Sequence, residues 1–297
     1  MSADWDRIDA VQRMQDYILA HHREEITLKD LAGAAAYSPW QALRAFSLLT
    51  GRTPFAYIRD VRLSEAARAL RDTHKSVLDV ALDAAFGSHE GFTKAFSHRF
   101  GLPPERYRRE TPPIPLFTYY SVRSYHKYLE GGAERMPANV VFTQVIERPA
   151  RRVIVKRGIK AADYFEYCEE VGCEVWGVLE SVKGALYESV GLWMPEGMRP
   201  GGTSEYCQGV EVSADYAGPV PEGFDLVNLP GAKYMVFQGE PFDDEKFEEA
   251  ILAVWEAVER FDPKRFGWEW APEDGPRFQM EPRGARGYIE GRPVRPV

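Results

Sequence analysis

The chain has 297 residues, 44% of them apolar and 28% charged, with a formal net charge of −8. That balance excludes global disorder, and no run approaches the roughly 18 apolar residues that a membrane span needs. Residues 1–13 carry three acids and no apolar signal core, so no membrane partner is expected and the cytoplasm is the expected compartment.

The charge is unevenly spread. Residues 1–112 hold 16 Lys and Arg against 15 Asp and Glu, while the remainder holds 21 against 30. Residues 37–112 alone carry 12 basic to 8 acidic side chains, so the front tolerates a polyanion that the rear would repel. Cys168, Cys173 and Cys207 form no CxxC knuckle and have no His at ligand spacing. They read as buried thiols; no metal or other cofactor is expected.

Two stretches repeat at an offset of 50: residues 38–59 (SPWQALRAFSLLTGRTPFAYIR) and 88–109 (SHEGFTKAFSHRFGLPPERYRR). Ser38 and Ser88 are N-cap residues, and apolar positions follow at helical spacing: Leu43, Phe46 and Leu49, then Phe92, Ala95, Phe96 and Phe100. Gly51 and Gly101 sit where a left-handed C-terminal residue is wanted, and Pro54 and Pro104 stop the helices. Short helices precede both, opening with capping boxes at Thr27/Asp30 and Ser76/Asp79. Tight turns, AAAY and AAFG, join them, so helix-turn-helix occurs twice. Between the copies, residues 59–73 place Val61, Ala66, Ala69 and Leu70 on one stripe, the mark of a connecting helix that fixes the spacing.

With Ser38, Arg44 and Phe46 in the first unit, and Ser88, Phe92, Lys94, Phe96, Phe100, Gly101, Pro104 and Tyr107 in the second, residues 6–109 resemble the DNA-binding domain of the AraC/XylS regulators in its two-reader form. The resemblance implies that Trp40, Gln41, Leu43 and Arg44 in one helix, and His89, Glu90, Thr93 and Lys94 in the other, face the major groove of double-stranded promoter DNA. These positions lie on the face opposite the Phe46/Leu49 and Phe92/Phe96 stripes, and Arg suits bidentate contact with guanine. Two such helices fall about 34 Å apart on one face of B-DNA. Phosphates would meet the helix N-termini at Thr27, Ser38, Ser76 and Ser88, and Arg52, Arg59 or Arg109. Ala36 stands where the family has glycine, which suggests ordinary helical angles there. Leu43 replaces a polar reader.

Prolines and the Gly131-Gly132 pair break residues 111–136, giving a linker at 113–136 whose tyrosines argue for packing on a neighbour. The rest also repeats: Pro149, Arg152, Val155 and Gly158 recur as Pro230, Lys233, Val236 and Gly239, an offset of 81. Each strand feeds a helix, at 162–182 and 243–261. Strands follow at 188–194 and 205–213, then at 277–281 and 287–294. Strand, helix, strand, strand, performed twice, is an α+β domain whose seam is a natural cavity.

Through Tyr206, Gly209, Val210, Glu211 and Val212, and through Leu229, Pro230, Gly231, Lys233 and Tyr234, residues 137–297 resemble the GyrI-like small-molecule-binding domain. In that family a strand near the C-terminus supplies a buried glutamate for cationic, aromatic ligands. Gln279 occupies that place here, and strand alternation puts Glu281 on the same face. Tyr164, Trp176, Trp193, Tyr206, Trp255 and Trp270, with Phe278, are the candidate lining of the pocket, suited to flat or cationic organic ligands.

The sequence shows no GxSxG elbow, HExxH or phosphate-binding glycine loop, and all six histidines precede residue 137, so an enzyme is not expected. A hydrolase, as some stand-alone GyrI-like relatives are, or a sequestering protein is the alternative. The expectation is multidomain: an all-α double helix-turn-helix domain at 1–112, the linker, and an α+β GyrI-like domain at 137–297. The whole would be a transcription regulator with promoter DNA, a small organic effector and RNA polymerase as partners.

Overall fold

The computed structural model describes residues 4–129, 141–243 and 246–297. The chain divides into two compact units, Met1–Gly132 and Ala133–Val297. The expected Gly131-Gly132 break and the expected start of the second domain at 137 lie outside the described residues.

In the first unit, α1 (Trp5–His21) buries Ile8, Val11, Met14 and Ile18 against α2 (Leu28–Ala35) and α3 (Pro39–Thr50). The next helix, α4 (Pro54–Asp72), starts five residues before the expected connecting helix because Thr53 caps it and Pro54 suits its first turn. Then come α5 (Val77–Asp83), α6 (His89–Phe100), α7 (Pro104–Glu110) and α8 (Val122–Leu129). One core gathers Phe46, Tyr57, Ile58 and Val61; the other gathers Leu63, Ala66, Leu70, Phe92 and Phe96. Since α4 supplies residues to both, the two helix-turn-helix units share one rigid rod. Asp60 on α4 reinforces it, pairing with Arg52 after α3 and lying 3.5 Å from Arg99 of α6.

The stretch expected to link the domains carries Ile114 and Leu116 into the second core and Val122 into the first. Two buried glutamines of α1 hold it. Gln15 donates to the Tyr120 carbonyl at 3.1 Å and accepts from the Val122 N–H at 3.1 Å, while Gln12 donates to Tyr119 Oη at 2.6 Å. Buried polar groups demand such partners, and the prolines that break helix leave carbonyls and N–H groups free to be those partners.

Both helix-turn-helix turns need a left-handed residue. The Tyr37 N–H reaches back to the Ala32 carbonyl at 2.9 Å, and the Phe86 N–H to Ala81 at 3.0 Å. That closure places positive φ on the residue before. Ala36, expected near helical angles, therefore has φ 55° and ψ 38°, and Ala85 has φ 54°.

The second unit is a sheet backed by helices. Its strands are β1 (Val141–Arg148), β2 (Arg151–Arg157), β3 (Val190–Trp193), β4 (Tyr206–Val212), β5 (Asp225–Leu229), β6 (Ala232–Gly239), β7 (Trp268–Trp270), β8 (Arg277–Met280) and β9 (Ile289–Pro296). They run in the order β1-β6-β9-β8-β3-β4-β2-β5, with β7 on β9. Exchanging β1 with β5, β2 with β6, β3 with β8 and β4 with β9 reverses the order, so a pseudo-twofold axis passes between β3 and β8, where Gly191 faces Gln279. Only Pro149 and Ala150 separate β1 from β2, so the sheet must curl until its ends approach.

The sequence reading places no strand at β1, β5 or β7. It expects one helix over 162–182; the structure has α9 (Tyr164–Glu170) and α10 (Glu174–Glu180), broken where Gly172 adopts φ 104°. The second helix, α11 (Phe247–Arg260), packs Val254 and Val258 on Met235 and Phe237. Of the cysteines expected to be buried, Cys207 is, Cys168 is half-buried and Cys173 is exposed at the head of α10. Among the described residues no helix is long and apolar enough to cross a membrane.

Candidate nucleic-acid interface and a buried polar cluster

Both candidate reading helices present one face to the core and the opposite face to solvent. In α3, Ala42, Ala45 and Phe46 are buried; Trp40, Gln41 and Arg44 are exposed, with Leu43 between. Trp40 is 65% exposed, and the Arg44 guanidinium lies 5.3 Å from its ring centroid. In α6, Phe92, Phe96 and Phe100 are buried, His89, Glu90 and Lys94 are exposed, and Thr93 is half-buried. Gln41 has a second task. Its Oε1 accepts from Ser38 N at 3.1 Å and Ser38 Oγ at 2.7 Å, a capping box that leaves the amide N–H groups to point elsewhere.

The helix starts differ in what they offer an anion. Asp30 and Asp79 occupy the first turns of α2 and α5, where hydrogen bonds from Thr27 and Ser76 hold their carboxyls below the usual range. Those termini are already partly neutralised, whereas the first turn of α3 carries no acid. Of the three candidate phosphate arginines, Arg52 is engaged by Asp60 and Arg109 by Glu110 at 2.8 Å. Arg59 is exposed and has no carboxylate partner among the described residues.

In the second unit, one sheet face collects a polar cluster. Gln279 on β8 stands directly opposite Glu290 on β9 and Gly191 on β3. Glu290 is fully buried, its Oε2 2.7 Å from Arg277 Nη2 and its Oε1 2.7 Å from Arg292 Nε. Tyr288 Oη lies 3.0 Å from Gln279 Oε1 and 3.3 Å from Glu290 Oε2, while Gln279 Nε2 donates to Tyr206 Oη at 3.2 Å. Burial pushes both phenols far above their ordinary range. Gly191 is required here: a Cβ would stand 2.4 Å from Tyr206 Oη and 2.9 Å from Gln279 Cγ.

Several expected ligand residues meet at this face. Trp193 packs edge-on to Tyr206 at 4.9 Å, Trp255 donates to Tyr288 Oη at 3.3 Å, and Tyr164 packs in the same apolar cluster as Trp193. Trp270 packs on Phe237 and Phe261, 6.0 Å from the Arg292 guanidinium. Others stand apart. Phe278 points to the other face, against Tyr234 and Arg148. Glu281 follows the end of β8 and pairs with Arg283 at 2.9 Å, so the acid beside Gln279 is Glu290. Trp176 is half-buried on α10, with no ring contact or hydrogen bond to the cluster among the described residues.

Sequence reading misses Glu290, Arg277, Arg292 and Tyr288. The signal lies in a further repeat: Tyr206-x-Gln208-Gly209 recurs as Tyr288-x-Glu290-Gly291.

A family described as helix-turn-helix domain matches residues 31–110. The right origin-binding protein of Escherichia coli (strain K12) is 38% identical over 258 residues, covering 84% of each chain. The chain belongs to the AraC/XylS family. The transcriptional regulator Rob of Salmonella typhimurium is 37% identical over 119 residues, 37% of this chain and 41% of that one. Among solved structures, the DNA-binding domain of AdpA in complex with a target DNA matches with TM-score 0.33 at 29% identity, over 34% of this chain and 91% of that one. As an AraC/XylS protein with two helix-turn-helix units, it is a DNA-binding transcription regulator.

Proposed function

We propose that α3 and α6 read the bases of a promoter from consecutive major grooves, and that the second unit binds a small aromatic organic effector that alters DNA affinity or contact with RNA polymerase in the cytoplasm. The carrying observation is that two Ser-capped helices with opposite apolar faces hang on one rod, α4, which enters both cores. Arg44 and Lys94 hold matched positions and are both exposed. Arg59 and the acid-free start of α3 are the groups best placed for phosphates. In the second unit, three tryptophans gathered around a buried polar cluster support a receptor, and relatives named as regulators favour sensing over turnover. An effector shifts the equilibrium only by binding one arrangement better than another.

The test takes DNA selected from a random pool by the full chain and follows binding by fluorescence anisotropy. Arg44→Ala and Lys94→Ala should each weaken specific binding by about 1–3 kcal/mol and relax base choice at one position. Wild-type affinity and selectivity in both variants would overturn the reader assignment.

A further inference from the structure

The GyrI-like resemblance implies a cationic ligand; the geometry points to the opposite charge. Resting on the effector reading above, we propose that the cluster around Glu290 takes an aromatic ligand bearing an anionic group, such as an aromatic carboxylate.

Charge is the first reason. Each oxygen of Glu290 already holds a guanidinium, Arg277 on one and Arg292 on the other. Two cations against one buried anion leave one positive charge in excess. The arginine side chains are 26% and 28% exposed, so unlike Glu290 they reach solvent and a ligand can reach them. Glu248 lies about two turns before Trp255 on the same face of α11 and has a buried carboxylate oxygen of its own, so the excess is counted for Glu290 and its two arginines alone.

Occupancy is the second reason. Tryptophan faces attract cations, and here the protein supplies its own. The Arg277 guanidinium carbon is 4.0 Å from the Trp193 centroid and 5.2 Å from that of Trp255. An incoming cation would have to displace it against the excess charge. An incoming anion finds guanidinium N–H groups held in place by Glu290 and flanked by indoles for its ring, a pairing that arginine makes in two parallel hydrogen bonds.

The neighbouring amides complete the case. Gln279, in the position where the resemblance puts an acid, is neutral and spends its amide on Tyr206 and Tyr288. Gln208, the repeat partner of Glu290, lies on the same face across Gly191, fully buried, with neither amide atom hydrogen-bonded among the described residues. It offers an unused donor and acceptor.

The experiment titrates the full chain with three probes of one shape, 2-naphthoate, 2-naphthamide and 2-naphthylmethylammonium, reading tryptophan fluorescence and heat. The naphthoate should bind about tenfold or more tighter than the ammonium, one charge-assisted hydrogen bond's worth of preference. Arg292→Gln, a change at a partly exposed side chain, should erase most of that ratio, and Glu290→Gln should enlarge it. If the ammonium binds as well or better, or if Arg292→Gln leaves the ratio unchanged, the charge assignment fails while the effector reading stands. If none of the three binds at millimolar concentration, both fail together.

Discussion

Replacing Ala36 or Ala85 with glycine should stabilise the first unit, and by different amounts. Both residues sit at positive φ, 55° and 54°, in turns closed by a backbone hydrogen bond that glycine retains. Holding an L-residue with a Cβ there costs about 1–2 kcal/mol. Glycine removes that cost but gives the unfolded chain about 0.5–1 kcal/mol more entropy to lose, so the net gain is about 0.5–1 kcal/mol. Ala36 is exposed and loses almost no burial with its methyl. Ala85 is half-buried, so removing its methyl forfeits about 0.4 kcal/mol and leaves a gain of a few tenths. Urea titrations of the full chain, followed by far-UV circular dichroism, should show a higher midpoint at unchanged slope, larger for Ala36→Gly than for Ala85→Gly. A lowered midpoint for Ala36→Gly, or the reverse order, would refute the strain argument.

Two further outcomes follow from charge. Asp60→Ala strands Arg52 and Arg99 without their shared partner; because both arginines are partly exposed, the cost should be about 1–3 kcal/mol in the same titration, and Asp60→Asn should recover part of it. Asp30 and Asp79 have folded-state pKa values below the ordinary 3.8, so their stabilisation is present above that pH and lost as pH falls through the lowered values. Denaturation midpoints should therefore drop as pH falls below the ordinary 3.8, and by less in Asp30→Asn/Asp79→Asn; equal drops would show that the capping carboxylates are not responsible.

Local signals carried most of what the sequence disclosed. Ser38 and Ser88 as caps, Gly51 and Gly101 as left-handed ends, and the phenylalanine stripes are written within a few residues of where they act, and each is found in place. What stayed hidden depends on partners distant in sequence. The left-handed angles at Ala36 and Ala85 are imposed by the backbone closure of the turns. Ile114 and Leu116 look like linker residues among prolines until α4 and α6 receive them. The break falls at Gly172, but a glycine alone does not announce it, since Gly177 sits inside α10 without ending that helix. Glu290 stayed hidden because, of its two cations, only Arg292 is close in sequence while Arg277 arrives from another strand. Of the expected rings, Trp193, Tyr206 and Trp255 stand beside Gln279 while Trp176 and Phe278 stand apart, and the neighbouring acid is Glu290 rather than Glu281, since rings are recognised by type and a buried charge only by its counter-charges.

The sheet of the second unit is knotted together by loans. The opening strand of the first half, β1, lies not with its own half but on β6, and β5 returns the favour on β2. Like two hands clasped at the fingers, neither half closes its edge without the other, so the repeats must lose their structure in a single cooperative event. The same clasp sets the seam where Gly191 meets Gln279 midway along the sheet, as many strands from one lent border as from the other.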